Sequence, residues 1–460
     1  MEYRILGALK KYKGIRPVRF HMPGHQANRK IFSVFKDAPM DITELSFSDC
    51  LENPDGVIAE AEREVAEILG ARKSFFVTDG SSCAIFSMLF AARKTGSKII
   101  IGRNSHKSVY NACAVLGIEP YILKANELEG VMLPPTPLDV EEAFKKESDV
   151  CGILLTSPDY YGNVAEYEKI RKICDKYNKL LLVDGAHGAY LKFDADSGAE
   201  ALRARYAGDF ADIWVDGAHK TLPALTQGAI LNVKDERLIS AAEEGLQIFR
   251  TTSPSYLILA SVEYGVKYMA EYGTKLIDNI KRELLLVKSR LSKKGVLFYK
   301  GSSTLQLAVD FGGMGISPYL AEEELERRGI YCEMNDGRYL VFYITAATPA
   351  SRLFRMERAI RGIVRNRAMK NTYEPQIERV YGVKKFSYLT ALTFAVQQIS
   401  LEQAAGKVCA RNAGVTPPCF PLVVAGEVIG KDTIAYFKRA KHTFGIKDGK
   451  ISVIKIGGRE

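Results

Sequence analysis

Long hydrophobic runs are missing from this sequence. Its longest apolar stretches, such as Lys98-Ile-Ile-Ile101 and Gly152-Ile-Leu-Leu155, have the size of buried strands and fall far below the ~20 residues that span a bilayer. The opening segment, MEYRILGALKKYKG, carries charges throughout and lacks the apolar stretch of about 7 to 15 residues that a secretion signal needs. No targeting segment and no membrane partner are expected. Paired cysteines are missing too. The eight cysteines (Cys50, Cys83, Cys113, Cys151, Cys174, Cys332, Cys409 and Cys419) show no C-x-x-C pair and no zinc-ligand spacing. That excludes a legible disulfide framework or structural metal and fits a reducing cytoplasm.

Blocks of like charge are also absent. Lysine and arginine exceed aspartate and glutamate, giving a net charge of +10, which could attract nucleic acid, an anionic cofactor or an acidic partner. The basic residues are interspersed with acidic ones, as in Glu141-Glu-Ala-Phe-Lys-Lys146, so a solvated surface is the simpler reading and no nucleic-acid partner is expected. Histidine is scarce, with six in 460 residues. His21 and His25 have the i, i+4 spacing of a helical zinc site, but Pro23 and Gly24 between them argue against a helix, and no metal is expected.

What is present is an alternation. From about Asp41 to Ala260, short apolar runs such as Ser74–Thr78, Lys98–Ile101, Gly152–Thr156, Leu180–Asp184 and Asp212–Asp216 alternate with longer amphipathic stretches. This is the pattern of βαβ units building a parallel sheet. A long helix is expected near Tyr256–Lys294, then strands near Leu305–Phe311 and Tyr339–Ile344 flanking a helix over Ser317–Arg328. The tail carries a further expected helix over Tyr388–Ala405 and a proline-rich loop, Thr416-Pro-Pro-Cys-Phe-Pro421.

Ligands of open α/β sheets bind beyond the carboxyl ends of the strands, so the chemistry should sit in the turns. Lys220 follows a strand and a turn in Trp214-Val-Asp-Gly-Ala-His-Lys-Thr221; a lysine desolvated there becomes a nucleophilic amine. Read alone it is more simply a surface lysine opening a helix. Asp184 ends another strand, 36 residues earlier, where it could pair with a protonated ring nitrogen or simply cap a turn. Thr78-Asp-Gly-Ser-Ser-Cys-Ala84 offers Gly80, Ser81, Ser82 and free N–H groups at a helix start, a phosphate cradle by physical criteria. In Arg103-Asn-Ser-His-Lys-Ser108, His106 follows a strand where its ring could stack on a cofactor. Trp214 is read as a core residue. A lysine, an acid, an aromatic plate and a phosphate nest together are more specific than any one of them.

These segments make the chain resemble the Orn/Lys/Arg decarboxylases of the aspartate-aminotransferase-like (fold type I) pyridoxal-phosphate enzymes, in their short bacterial form. The resemblance runs nearly the whole length, through Arg19-Phe-His-Met-Pro-Gly-His25, Asp41-Ile-Thr-Glu-Leu45, Ser105-His-Lys-Ser108, Asp184-Gly-Ala-His-Gly188, Ala218–Gln227, Thr251-Thr-Ser-Pro254 and Pro421–Glu427. It implies an α/β fold: a mostly parallel central sheet with helices on both faces, plus a smaller α/β domain and a C-terminal domain. The expected boundaries are 1–40 for an N-terminal arm, 41–260 for the large cofactor domain, 261–369 for the small domain and 370–460 for the last.

The resemblance further implies pyridoxal 5'-phosphate as cofactor and decarboxylation of arginine, lysine or ornithine. Lys220 becomes the Schiff-base lysine, Asp184 the partner of the pyridine nitrogen and His106 the stacking ring. Gly80, Ser81, Ser82, Ala186, His187 and His219 line the cofactor, with Lys220 or His219 returning a proton to the α-carbon. Thr251, Thr252 or Ser253 would reach the phosphate of a neighbouring subunit in a homodimer or assembly of dimers with shared active sites. Glu427 is a candidate to receive the substrate's distal cation, against an equal reading as a solvated loop residue. Three departures stand out: Gly217 where relatives usually have serine, Gly185 where they commonly have an acid, and Thr416–Pro421 in place of Tyr-Pro-Pro-Gly-Ile-Pro.

Overall fold

The computed structural model describes residues 1–194, 206–301, 305–374, 381–416 and 418–455. It divides into two compact units, one formed by Met1–Gly96, Cys151–Pro158 and Glu166–Asp278, the other by Ser97–Val150, Asp159–Ala165 and Asn279–Glu460.

Five strands of the first unit, β1 (Lys73–Val77), β2 (Gly152–Thr156), β3 (Leu180–Gly185), β4 (Ile213–Asp216) and β5 (Ala229–Val233), lie in the order β1-β5-β4-β3-β2. β2, β3 and β4 run parallel, while β5 runs antiparallel to both β4 and β1. Every residue of β2 to β5 is buried, as expected for strands covered on both faces, and this is why they read as largely apolar runs. Among the helices of this unit are α1 (Arg4–Gly14), α2 (Val57–Leu69), α3 (Gly80–Arg93), the single turn α4 (Ala218–Thr221) and α5 (Ile239–Phe249). In α2, Ile58, Ala61, Val65, Ala66 and Leu69 make one buried stripe, and Gly70 ends it in the left-handed conformation, φ +79°. A Cβ on Gly245 of α5 would sit 3.0 Å from Ser87 Cα of α3, so the glycine lets those two helices close up. The fully buried Glu263 carboxylate accepts from the backbone N–H groups of Arg4, Ile5 and Leu6 and from Lys267 Nζ (2.8 Å), completing the start of α1. No helix forms at His21 to His25; His25 Nε2 meets Asp41 Oδ2 at 3.1 Å and His21 Nε2 meets the Tyr12 hydroxyl at 2.5 Å.

The second unit holds the parallel pair Lys98–Ile101 and Glu119–Ile122, and an antiparallel sheet in the order Gln306–Asp310, Tyr339–Tyr343, Met334–Asn335. The helices Pro318–Glu326 and Ala350–Arg365 also lie here. The long helix is Tyr256–Ser292, close to its expected span. The tail differs from expectation. The helix beginning at Tyr388 stops at Thr393, and Val396–Ser400 is a strand paired with Lys450–Ile454. Val396 and Ile399 are β-branched, and the deciding partner lies some fifty residues away, beyond the reach of local periodicity. Among the described residues, no helix is long and apolar enough to cross a membrane and no cluster of His, Cys, Asp or Glu could hold a metal ion.

Candidate active site

Three turns of the first unit come together. Asp184 is the penultimate residue of β3, and its side chain is only 3% exposed. Among the described residues its carboxylate accepts one hydrogen bond, a long one of 3.3 Å from the Ala186 N–H. Burial raises the Asp184 pKa above the usual carboxylate range, while the positive charge of Lys220 and the Ala186 N–H pull the other way. β4 ends one residue before Gly217, and α4 then carries His219 and Lys220. Lys220 Nζ lies 2.9 Å from Nε2 of the buried His187, two residues beyond the end of β3. Both the backbone N–H of His219 (3.1 Å) and its ring Nδ1 (2.8 Å) donate to the Gly228 carbonyl. That fixes the tautomer with Nε2 unprotonated in the neutral ring, and burial lowers the ring's pKa, favouring that form.

The third turn opens α3. Gly80 takes φ +79° and donates its N–H to the Gln227 carbonyl at 2.9 Å, a conformation that only glycine adopts without strain. Ser81 Oγ is buried without a hydrogen-bond partner, and Ser82 is exposed. A Cβ on Gly217 would lie 3.0 Å from Ser81 Oγ and 2.4 Å from the Ala186 carbonyl oxygen, so Ser81, Ala186 and Gly217 are in mutual contact distance. Gly217 is therefore built into this backbone, and a serine there would need the turn to move. Thr251, Thr252 and Ser253 are exposed, and Thr251 Oγ1 accepts from the Ser253 N–H at 3.2 Å.

These groups fit a phosphorylated, cationic ring. A buried hydroxyl left unsatisfied costs free energy until an acceptor or donor reaches it, and a phosphate oxygen would supply one to Ser81 Oγ. A buried carboxylate with one weak hydrogen bond keeps its charge only beside a cation, and a protonated pyridine nitrogen is such a cation for Asp184.

In the second unit, His106 caps the helix Lys107–Leu116, its Nδ1 accepting from the Ser108 N–H at 3.2 Å, which fixes the ring's orientation. The Lys107 N–H donates to the Cys419 carbonyl at 2.8 Å, tying the Thr416–Pro421 loop to the turn that carries His106. Pro417 lies outside the described residues. Thr416 and Pro418 line a cavity of about 670 Å³ together with Glu322, Glu333 and Tyr436. Glu427 must be reassigned. It is neither solvated nor open to a substrate's cation, because the Arg103 guanidinium grips both its oxygens, at 2.5 and 2.9 Å, and the Val424 N–H adds a third bond at 2.8 Å. Both residues are buried, so this is an internal ion pair.

Comparison with known proteins decides the family. A family model described as Orn/Lys/Arg decarboxylase, major domain, matches residues 5–306, and one for the C-terminal domain of the same family matches residues 366–445. The chain belongs to the Orn/Lys/Arg decarboxylase family. Relatives include an arginine decarboxylase of Bacillus anthracis, 28% identical over 95% of this chain and 93% of its own length. Another is an arginine decarboxylase of Bacillus subtilis, 28% identical over 93% and 91%. The solved Escherichia coli constitutive lysine decarboxylase superposes with a TM-score of 0.80 at 20% identity, covering 99% of this chain and 82% of that one. The fold is thus the α/β fold of the pyridoxal-phosphate decarboxylases, with a mixed sheet and an added C-terminal domain.

Within this family frame, one residue of consequence escaped the sequence reading. Asp216 ends β4 immediately before the Gly217–Lys220 turn and is buried, with three donors on one oxygen. The available signal was a carboxylate closing a fully apolar strand, Ile213-Trp-Val-Asp216, since a buried acid requires partners. Trp214 proved to be more than core filling, because its indole N–H joins that network.

Proposed function

We propose that this member of the Orn/Lys/Arg decarboxylase family removes the α-carboxylate of a basic amino acid as carbon dioxide, arginine being the first substrate to try, with pyridoxal 5'-phosphate held covalently on Lys220. The observation that carries the assignment is Lys220 Nζ at 2.9 Å from Nε2 of His187, on the turn that follows buried Asp184 and the end of β3. Arginine comes first because the Bacillus arginine decarboxylases align with more than nine-tenths of the chain.

When bound, the cofactor supplies an electron sink for the pair released as the carboxylate leaves. Asp184 holds the proton on the ring nitrogen that makes the sink effective. Ser81 Oγ and the N–H groups at the start of α3 hold the phosphate. Lys220 reacts only as a neutral amine, and His187 Nε2 takes up the proton its Nζ gives away. Lys220 Nζ, with His187 beside it, then returns a proton to the substrate's α-carbon. His219, neutral and tethered to Gly228, seats the turn that presents Lys220. The family resemblance gives His106 the role of stacking ring, and within its own unit its Nδ1 accepts from the Ser108 N–H. The same reading makes the enzyme a homodimer or an assembly of dimers, supported by the exposed apolar side chains of Val18 (84%), Phe20 (92%), Ile31 (76%) and Val34 (80%) in one segment of a single chain.

The test is product analysis with arginine, lysine and ornithine. Equimolar carbon dioxide and the matching amine are expected from at least one of them. A keto acid without carbon dioxide would instead make the enzyme a transaminase on this scaffold, and no turnover of any of the three would refute the proposal.

A further inference from the structure

The Asp216 carboxyl has an arrangement that simple core packing does not require. It is 1% exposed, and its Oδ2 accepts from the Tyr206 hydroxyl (2.9 Å), the Trp214 Nε1–H (3.0 Å) and the Asn232 side-chain amide (3.0 Å). Trp214 Nε1 is also 3.1 Å from the Tyr206 oxygen, and Ser74 Oγ donates to Asn232 Oδ1 at 2.6 Å. The network therefore crosses β1, β5 and β4 in register, through the pairs Ser74 with Asn232 and Asn232 with Trp214. All five residues are buried. The second oxygen, Oδ1, is buried and unpartnered, so the ionised form is incompletely satisfied. Burial pushes the Asp216 carboxyl up to about 7, with Lys192 the charged side chain that opposes the rise.

The position of this knot matters. Asp216 pairs in register with Gly185, the residue after Asp184. The next residue, Gly217, lies so close to the Ala186 carbonyl that a Cβ would stand 2.4 Å from it. Three residues further on, Lys220 meets His187 at 2.9 Å. The end of β4 thus sets the spacing between the turn of Lys220 and the turn of Asp184 and His187, and the Asp216 network is what pins that end.

We propose that Asp216 is a positioning residue for Lys220: its network locks the end of β4 so that the Gly217–Lys220 turn stays seated on the turn of Asp184 and His187. The role rests on Lys220 being the cofactor lysine. It calls for an acceptor at Oδ2 rather than for a negative charge, and this separates asparagine from alanine. The test compares wild-type holoenzyme with Asp216→Asn and Asp216→Ala, measuring cofactor dissociation, kcat and KM, and the emission of Trp214, the single tryptophan. For alanine, cofactor affinity and kcat are expected to fall about 10-fold or more with little change in KM, the size of one to two lost hydrogen bonds. The Trp214 emission shifts as well. Asparagine keeps an oxygen for the three donors and should recover most of the affinity and kcat and restore the emission. Should alanine fail to fold, Trp214→Phe, which removes one donor and keeps an aromatic ring, is expected to weaken the cofactor in the same direction. A folded alanine variant with wild-type affinity and kcat overturns the proposal, as does an asparagine variant as impaired as alanine. If the wild type itself carries no cofactor on Lys220, the decarboxylase reading fails instead, a separate result.

Discussion

Asp184 is held nearly dry with one long hydrogen bond, so its value lies in its charge. Asp184→Asn should lower kcat by about 10- to 100-fold, the worth of a charge-assisted hydrogen bond of about 1.5–3 kcal/mol. Steady-state kinetics at saturating cofactor will check this, and an unchanged kcat would remove Asp184 from the site. That Lys220, Asp184 and Ser81 lie at or just beyond strand ends was legible in the sequence, and strand ends are where such folds place chemistry. Glu427 was not, since its partner Arg103 lies 324 residues away. Nor was the backbone at Cys419, which takes φ +62°, a conformation that favours glycine. Cys419→Gly should therefore raise stability by about 0.5–1 kcal/mol, the left-handed penalty less glycine's unfolded-state entropy. Thermal unfolding reads it, and a fall in midpoint would contradict it.

At the scale of elements, strands buried on both faces announced themselves as apolar runs, and the helices Tyr256–Ser292 and Pro318–Glu326 as amphipathic stretches. The tail was harder to read because its strands are held by distant partners, as Val396–Ser400 is by Lys450–Ile454. Arg103 and Glu427 belong to this level. The pair joins the turn after Lys98–Ile101 to the segment after Pro421–Val423, so its loss should be felt in folding rather than in substrate binding. Glu427→Gln leaves a buried guanidinium without its counter-charge, a cost of about 3–5 kcal/mol. Denaturant unfolding should show that loss with KM for arginine unchanged; wild-type stability with a raised KM would return Glu427 to the substrate site.

For the molecule as a whole, the apolar side chains at Val18, Phe20, Ile31 and Val34 need cover. Sedimentation equilibrium is expected to give twice the chain mass or an even multiple, and a double substitution, Phe20→Ser with Val34→Ser, should shift the population toward monomer. A wild-type monomer at micromolar concentration would contradict the shared-site reading. The claim on which everything else depends is the covalent bond at Lys220, and it is best tested by reducing the cofactor-loaded protein with borohydride and mapping the modified peptide in wild type and Lys220→Ala. The account predicts a visible-edge absorbance band in wild type, fixed by reduction onto Lys220, and no lysine-linked label in the variant. A label on another lysine, or none in wild type at saturating pyridoxal phosphate, would contradict it.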